Sequence, residues 1–397
     1  MKDKNEYLSE RVKPLKASAI REMFKRMADP EIISLAGGSP SPELFPGEEL
    51  AEIAKNILDK NPALALQYGT TDGYAPFKAH ALKRAEKVNA VSVNDSIIIT
   101  TGAQQGIDLT ARVLLNEGDS VVVEDPSFVG TLNCLHSYRA KLFGIPVDDD
   151  GMNMVVLEDT LKNNDIKLIY TIPTFQNPSG ITMSLAKRKK LIELANKYDV
   201  IVLEDNPYGD LRFAGEDLPT IKSMDTEGRV IYVGSFSKIL SPGMRLGYVV
   251  CDTSFADRIE VAKQVNDVHT PLLTQIMASE FLDRYDIEEY IAKSRELYGH
   301  KCRFMLDCMD KYFPKSVTYT RPEGGLFIWC KTPDGTNTEE LLNKALAHKV
   351  AFVPGSGFTT TPNVASKYFR LNYSMMPDEK IEKGIKLLGN ALTEMLG

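Results

Sequence analysis

Through the middle of the chain, short apolar runs alternate with longer amphipathic stretches. The runs are "SIIITT" (96–101), "SVVVED" (120–125), "LIYTIP" (168–173), "VIVLED" (200–205), "VIYVGS" (230–235) and "LGYVVC" (246–251). Between several of them lie helix-length segments such as "GAQQGIDLTARVLL" and "LAKRKKLIELANKYD". Nearly continuous Val/Ile/Leu strands separated by helices predict a mostly parallel sheet covered on both faces, hence an α/β fold. Near residue 285 the pattern changes: a long helical segment (287–313) leads into the short strands "VTYTR" and "GLFIWC" and then two more helical patterns, which predicts a smaller α+β domain. Ahead of the sheet, a helical piece, "ASAIREMFKRMA", and a Gly/Pro-rich passage, "LAGGSPSPELFP", read as an amino-terminal arm. The expected division is an arm over 1–45 that packs with the small domain and active site, a large domain over 46–285 and a small domain over 286–397.

A length of 397 residues suits two domains, and 43% hydrophobic with 25% charged residues is an ordinary globular composition. The net charge of −7 argues against nucleic acid or an anionic membrane as partner. The basic run "KRKK" (187–190) begins a helical pattern and reads as a solvated helix face. The first 15 residues lack the apolar core of a signal peptide, and no run of eighteen apolar residues predicts a membrane span. Cys134, Cys251, Cys302, Cys308 and Cys330 are scattered and odd in number, as expected of reduced, mostly buried thiols in a cytoplasmic protein. No His or Cys spacing suggests a metal site.

In open α/β sheets the ligand sits at the carboxyl ends of the strands, so the residues just after each run are the ones to examine. After the first run, Gly102, Ala103 and Gln104 open a helix, where small residues expose N–H groups to an anion such as phosphate. The glycines match neither a dinucleotide fingerprint nor a Walker sequence. Phe128 follows the second run and offers a ring for a flat ligand to stack on; Asn177, in "TFQNPSG", could donate to a ligand oxygen. Asp205 ends an apolar strand, with Tyr208 three residues on; a carboxylate led into a desolvated place needs a cationic partner. After "VIYV" comes "GSFSKILSPGMRLG", which places Lys238 between Ser235, Ser237 and Arg245. Burial and a neighbouring arginine lower a lysine pKa and favour Schiff-base chemistry, while the hydroxyls and the arginine suit a phosphate. A phosphate, an aldehyde, a ring nitrogen, a phenolic oxygen and a flat face together describe pyridoxal 5′-phosphate.

With these motifs the chain resembles the fold-type I, class I/II pyridoxal-phosphate-dependent aminotransferases, and within them the 2-aminoadipate and kynurenine aminotransferase branch. The likeness runs through "SLAGGSPSPELFP", "ALQYGTTDGYAPFK", "TTGAQQGIDL", "IPTFQNPSG", "LEDNPYGDLRF", "GSFSKILSPGMRLGY", "HTPLLTQ", "YTRPEGGLFIW", "VAFVPGSGF" and "FRLNYS". It implies a large sheet of the seven-stranded type and a homodimer with active sites at the subunit interface. It also implies that Lys238 carries the cofactor and then acts as acid and base, and that Asp205 pairs with the pyridine nitrogen. Tyr208 and Asn177 would bond the ring hydroxyl, and Phe128, where the family often has tyrosine, would stack on the ring. Gly102, Ala103, Gln104, Ser235, Ser237 and Arg245 would hold the phosphate, joined by Tyr68 from the partner subunit. Arg370 matches the arginine that clamps the substrate carboxylate; Asn177 and Gly38 lie with it in the substrate set, and Arg21 matches an arginine that can meet a distal carboxylate. The reaction so implied moves an amino group between an L-amino acid, of 2-aminoadipate, aromatic or branched-chain type, and a 2-oxo acid such as 2-oxoglutarate. A lyase or decarboxylase with the same cofactor, or a non-catalytic amino-acid-sensing module, are the alternatives.

Overall fold

The computed structural model describes residues 4–9, 11–12, 31–361 and 364–397. The helical piece expected around 17–28, and Arg21 within it, lie outside the described residues.

A two-residue strand, β1 (Ile33–Ser34), precedes the main sheet. That sheet is built from β2 (Asp95–Thr100), β3 (Ser120–Asp125), β4 (Lys141–Asp148), β5 (Gly151–Met152), β6 (Ile166–Thr171), β7 (Ile201–Asn206), β8 (Val230–Ser235) and β9 (Gly247–Asp252). Their spatial order is β2-β9-β8-β7-β6-β3-β4-β5. Strands β8, β7, β6, β3 and β4 are mutually parallel. β9 runs against both β8 and β2, so β2 points the same way as the parallel set. The sheet thus has seven full strands and a two-residue edge strand. All six predicted runs are strands, displaced by no more than two residues. β4 was not foreseen, because "KLFGIPVD" carries Gly and Pro and has only one buried residue of eight, unlike the buried runs.

Both faces of the sheet are covered, which explains why its strands read as solid apolar runs rather than alternating ones. Val121, Val123, Leu168, Tyr170, Leu203, Ile231 and Val233 join one core with the helix Ala103–Leu114. Val122, Ile169, Val202 and Val230, pointing the other way, join a second core with the helices Met154–Asn163 and Leu185–Tyr198. The "KRKK" reading needs correction here. Arg188 is buried at 1% exposure, donating to the carbonyls of Met183, Pro173 and Pro219 and to Thr174 Oγ1. It faces the core side of its helix, where it satisfies carbonyls of the two loops that follow β6 and β7.

Past the helix Leu272–Arg284, the 26-residue helix Ile287–Tyr312 leads to a second, antiparallel sheet. This consists of β10 (Thr318–Tyr319), β11 (Phe327–Lys331), β13 (Val353–Pro354) and β14 (Tyr368–Asn372), in the order β10-β11-β14-β13. Helices Thr338–Ala347 and Asp378–Leu396 accompany it. β1 pairs in parallel with β12 (Val350–Ala351), and Leu35 N donates to Ala351 O at 2.8 Å while Leu35 O accepts from Asn372 N at 2.8 Å. The segment after β1 is thereby laid along the small sheet and carried toward the carboxyl edge of the large one. Among the described residues no helix is long and apolar enough to cross a membrane.

Candidate active site

The carboxyl ends of β2, β3, β6, β7 and β8 lie along one edge of the large sheet, and the loops leaving them close around a cavity of about 320 Å³. Gly38, Ala103, Gln104, Phe128, Asn177, Asp205, Tyr208, Ser235, Ser237, Lys238, Arg245 and Arg370 all line it. Residues from seven separate segments and from both sheets are therefore brought to one place.

The loop after β8 sorts its side chains by polarity. Phe236, Ile239 and Leu240 are buried in the core, Phe236 against Phe77 and Tyr248, with ring centroids 5.0 and 6.0 Å away. Their neighbours Ser235, Ser237 and Lys238 are left lining the cavity. Lys238 Nζ donates to Gly38 O at 2.7 Å. Burial, then the charges of Arg370 and Arg245, bring its pKa down to about 8, so a large share of the amine is unprotonated at mildly alkaline pH.

At one end of the cavity the chain gathers groups suited to an anion. Gly102 has φ +77° and ψ 168°, a conformation open essentially to glycine alone, and a Cβ there would lie 2.5 Å from Arg245 Nη2. The glycine thus both starts the helix Ala103–Leu114 and makes room for the guanidinium, which donates to Thr101 O at 3.2 Å. Ser237 N donates to Ser235 Oγ at 3.1 Å, holding the two serines together. Helix-terminal N–H groups, two hydroxyls and an arginine are a suitable set for a phosphate.

On the floor of the cavity, Asp205 is 2% exposed and burial pushes its pKa up to about 7. Oδ2 accepts from Tyr170 OH at 2.8 Å; Oδ1 has no partner in the protein. The strand register accounts for the first contact: Tyr170 stands opposite Leu203, so its side chain shares a face with Asp205 two residues on. Asn177 Nδ2 lies 3.4 Å from Tyr208 OH, and Asn177 Oδ1 accepts from Arg370 Nη1 at 2.8 Å.

Arg370 comes from β14 in the small sheet and is 4% exposed. Its Nη2 donates to Ala36 O and Gly37 O, at 3.0 and 3.2 Å, and its Nε has no partner. The guanidinium lies over the Phe327 and Phe358 rings, 4.2 and 5.0 Å from their centroids. Burial lowers its pKa to about 10, which still leaves it a cation at neutral pH. Two expected residues do not line the cavity of this chain: Gly102, which is buried next to Arg245, and Tyr68, which is 79% exposed and packed edge-on against His269.

Three contributors were missed in the sequence. Tyr170 supports Asp205. Phe327 lines the cavity beneath Arg370. Glu124, fully embedded and raised to about pKa 7 by burial, accepts from Thr171 Oγ1, Ile172 N and Gln176 Nε2. Gln176 also donates to Pro126 O at 2.7 Å, so Glu124 ties the loop of Phe128 to the loop of Asn177. When "VVVED" is laid on "VIVLED", Asp125 is the counterpart of Asp205 and Glu124 that of Glu204, so the strand-end position does not single Glu124 out.

The chain matches the model of the aminotransferase class I and II family over residues 32–388. It is 43% identical to aromatic-amino-acid aminotransferase 1 of Thermococcus litoralis, over 99% of this chain and 95% of that one. It is 38% identical to a 2-aminoadipate transaminase of Thermus thermophilus, over 96% and 95%. Among solved structures, that of a Pyrococcus horikoshii kynurenine aminotransferase in complex with PMP, KYN as substrates and KYA as products superposes with a TM-score of 0.95 at 41% identity, covering 99% of this chain and 98% of that one. The chain belongs to the class I and II aminotransferases. It is an enzyme, a transaminase.

Proposed function

We propose that this transaminase takes the amino group of an aromatic or 2-aminoadipate-type L-amino acid and delivers it to 2-oxoglutarate, using Lys238 as the proton carrier and Arg370 as the carboxylate clamp. The observation that carries the reading is the pairing, across one cavity, of a lysine amine at about pKa 8 with a buried arginine whose Nε is unpartnered. The names of the relatives at 43% and 38% identity support the substrate class.

Pyridoxal 5′-phosphate is the cofactor, and the residues present fit it. The unpartnered Asp205 Oδ1 would take the pyridine N–H, and the space kept open by Gly102 beneath Arg245 would take the phosphate with Ala103, Gln104, Ser235 and Ser237. Asn177 and Tyr208 would meet the ring oxygen, and Phe128 the ring face. When bound, the cofactor supplies an aldehyde that accepts the amino group and a ring that withdraws electrons from the substrate Cα. The chain's part is to orient and to move protons. Arg370 fixes the substrate carboxylate through the bidentate geometry that only a guanidinium presents. Lys238 takes a proton from the substrate carbon and returns it on the other side of the nitrogen, a task suited to an amine with a pKa near the working pH. Asp205, charged once a cation lies against it, keeps the ring nitrogen protonated.

Tyr68, exposed and outside its own cavity, supports a homodimer in which each copy lends this phenol to the other's phosphate. The five free, buried cysteines support a reducing compartment, the cytoplasm.

The test is a donor screen against 2-oxoglutarate that follows glutamate and the matching 2-oxo acid, with borohydride trapping of the cofactor on Lys238. Equimolar glutamate and 2-oxo acid from phenylalanine or 2-aminoadipate is the expected result. Release of carbon dioxide or ammonia without glutamate would replace the reading by a lyase or decarboxylase. Wild-type turnover in Lys238→Ala would end it.

A further inference from the structure

Behind the anion cradle lies a polar cluster outside the lining of the cavity, centred on a lysine shut off from solvent. Lys263, on the helix Thr253–Asn266, is 0% exposed, and its Nζ donates to Gln105 Oε1 at 2.9 Å, to Asp267 Oδ1 and Oδ2 at 2.8 and 3.0 Å, and to Thr270 Oγ1 at 3.1 Å. A lysine kept this far from water is costly unless every donor is used, and here each has an acceptor. All three of those acceptor side chains reach onward to one residue, Thr101, with Thr270 Oγ1 lying 3.1 Å from its Oγ1. Gln105 Oε1 accepts from Thr101 N at 2.7 Å, and Asp267 Oδ2 accepts from Thr101 Oγ1 at 2.9 Å. Gln105 Nε2 closes the ring onto Asp267 Oδ2 at 2.6 Å. The remaining polar atom of Thr101, its carbonyl, accepts from Arg245. Thr101 is therefore held on its N–H, its hydroxyl and its carbonyl at once, immediately before Gly102.

We propose that Lys263 is a positioning residue for the cofactor phosphate: through Gln105 and Asp267 it fixes Thr101, and so fixes both the turn at Gly102 and the arginine that leans on Thr101 O. The physical reason is rigidity. The turn presents backbone N–H groups, and a glycine with φ +77° holds one conformation only if its neighbours impose it. A preorganised donor set binds an anion without the cost of ordering itself first. The cluster sits on the side of the turn away from the ligand, so it acts through the cradle and touches neither substrate nor cofactor.

This inference rests on the reading of the turn at Gly102, the two serines and Arg245 as a phosphate cradle, and its test separates the two. Cofactor-free enzyme is titrated with pyridoxal 5′-phosphate and with pyridoxal, and the ratio of the two dissociation constants measures what the phosphate contributes. Lys263→Met should weaken binding of pyridoxal 5′-phosphate about tenfold while leaving pyridoxal unchanged. An unchanged ratio in folded Lys263→Met, or an equal loss for both ligands, would overturn the proposal. Arg245→Met is the reference: a collapsed ratio there beside a wild-type ratio in Lys263→Met removes Lys263 alone, and wild-type ratios in both remove the cradle reading as well. If Lys263→Met does not fold, Asp267→Ala, at a side chain 27% exposed, removes the acceptor of Thr101 Oγ1 and is judged by the same ratio.

Discussion

Tyr170 donates to Asp205 Oδ2 at 2.8 Å from the neighbouring strand, leaving Oδ1 as an unpartnered buried acceptor on the cavity floor. A carboxylate in this state is held in one orientation but short of a cation, which is what a protonated ring nitrogen supplies. Asp205→Asn keeps the shape and removes the charge, and should lower kcat by about 10²–10³. Tyr170→Phe removes only the orienting bond and should cost about tenfold. Steady-state kinetics at saturating cofactor distinguish the two. Wild-type kcat in Asp205→Asn would exclude the charge from the mechanism.

The cofactor-free enzyme should show two opposed dependences of stability on pH. Burial raises Asp205 and Glu124 to about 7, so between roughly pH 4 and 7 the folded state binds protons that the unfolded state has released, and stability falls as pH rises through this window. Lys238 is lowered to about 8, so between roughly pH 8 and 10.4 the unfolded state holds the extra proton, and stability rises with pH. Denaturant midpoints across pH should therefore flatten at the acid side in Asp205→Asn and at the alkaline side in Lys238→Met. Unaltered slopes in both variants would contradict this account.

Arg370→Lys keeps a cation but loses the planar fork. We expect KM for the amino acid to rise by on the order of tenfold to a hundredfold, because the retained ammonium cannot donate in parallel to a carboxylate while also holding Asn177 and the Ala36 and Gly37 carbonyls. The visible spectrum of the bound cofactor should stay as in the wild type. An unchanged KM would mean that another group clamps the carboxylate.

Tyr68 allows a test by mixing. Tyr68→Phe and Lys238→Ala each damage every site of a homodimer, whereas a hybrid of the two holds one site with both lesions and one with neither. If each copy lends Tyr68 to the other, unfolding and refolding the variants together should restore a site of wild-type KM. Additivity without any recovered wild-type site would mean that Tyr68 is not lent across the dimer.

The large sheet was legible because its strands are buried on both faces, so each appears as an unbroken apolar run. β4 escaped because Gly and Pro interrupt it and only one of its eight residues is buried. Arg188 escaped because a buried arginine has the same sequence signature as a solvated one; only the loop carbonyls that gather around it reveal the difference. The polar residues after each run could be read as candidates, since parallel strands expose their carboxyl ends together. Tyr170 and Glu124 lie within or at the end of apolar runs and passed as core.

By itself the sequence determined which residue types stand at the mouth of the sheet, because the local order of strand, turn and helix is written in short-range patterns. The tertiary structure decided what those residues meet. Arg370 reaches Asn177 from 193 positions away and Lys238 reaches Gly38 from 200, contacts set by how the small sheet and the segment after β1 pack against the large sheet. The lowered pKa of Lys238, the open valence of Asp205 and the bracing of Thr101 by Lys263 are properties of burial and long-range packing, which no local pattern encodes.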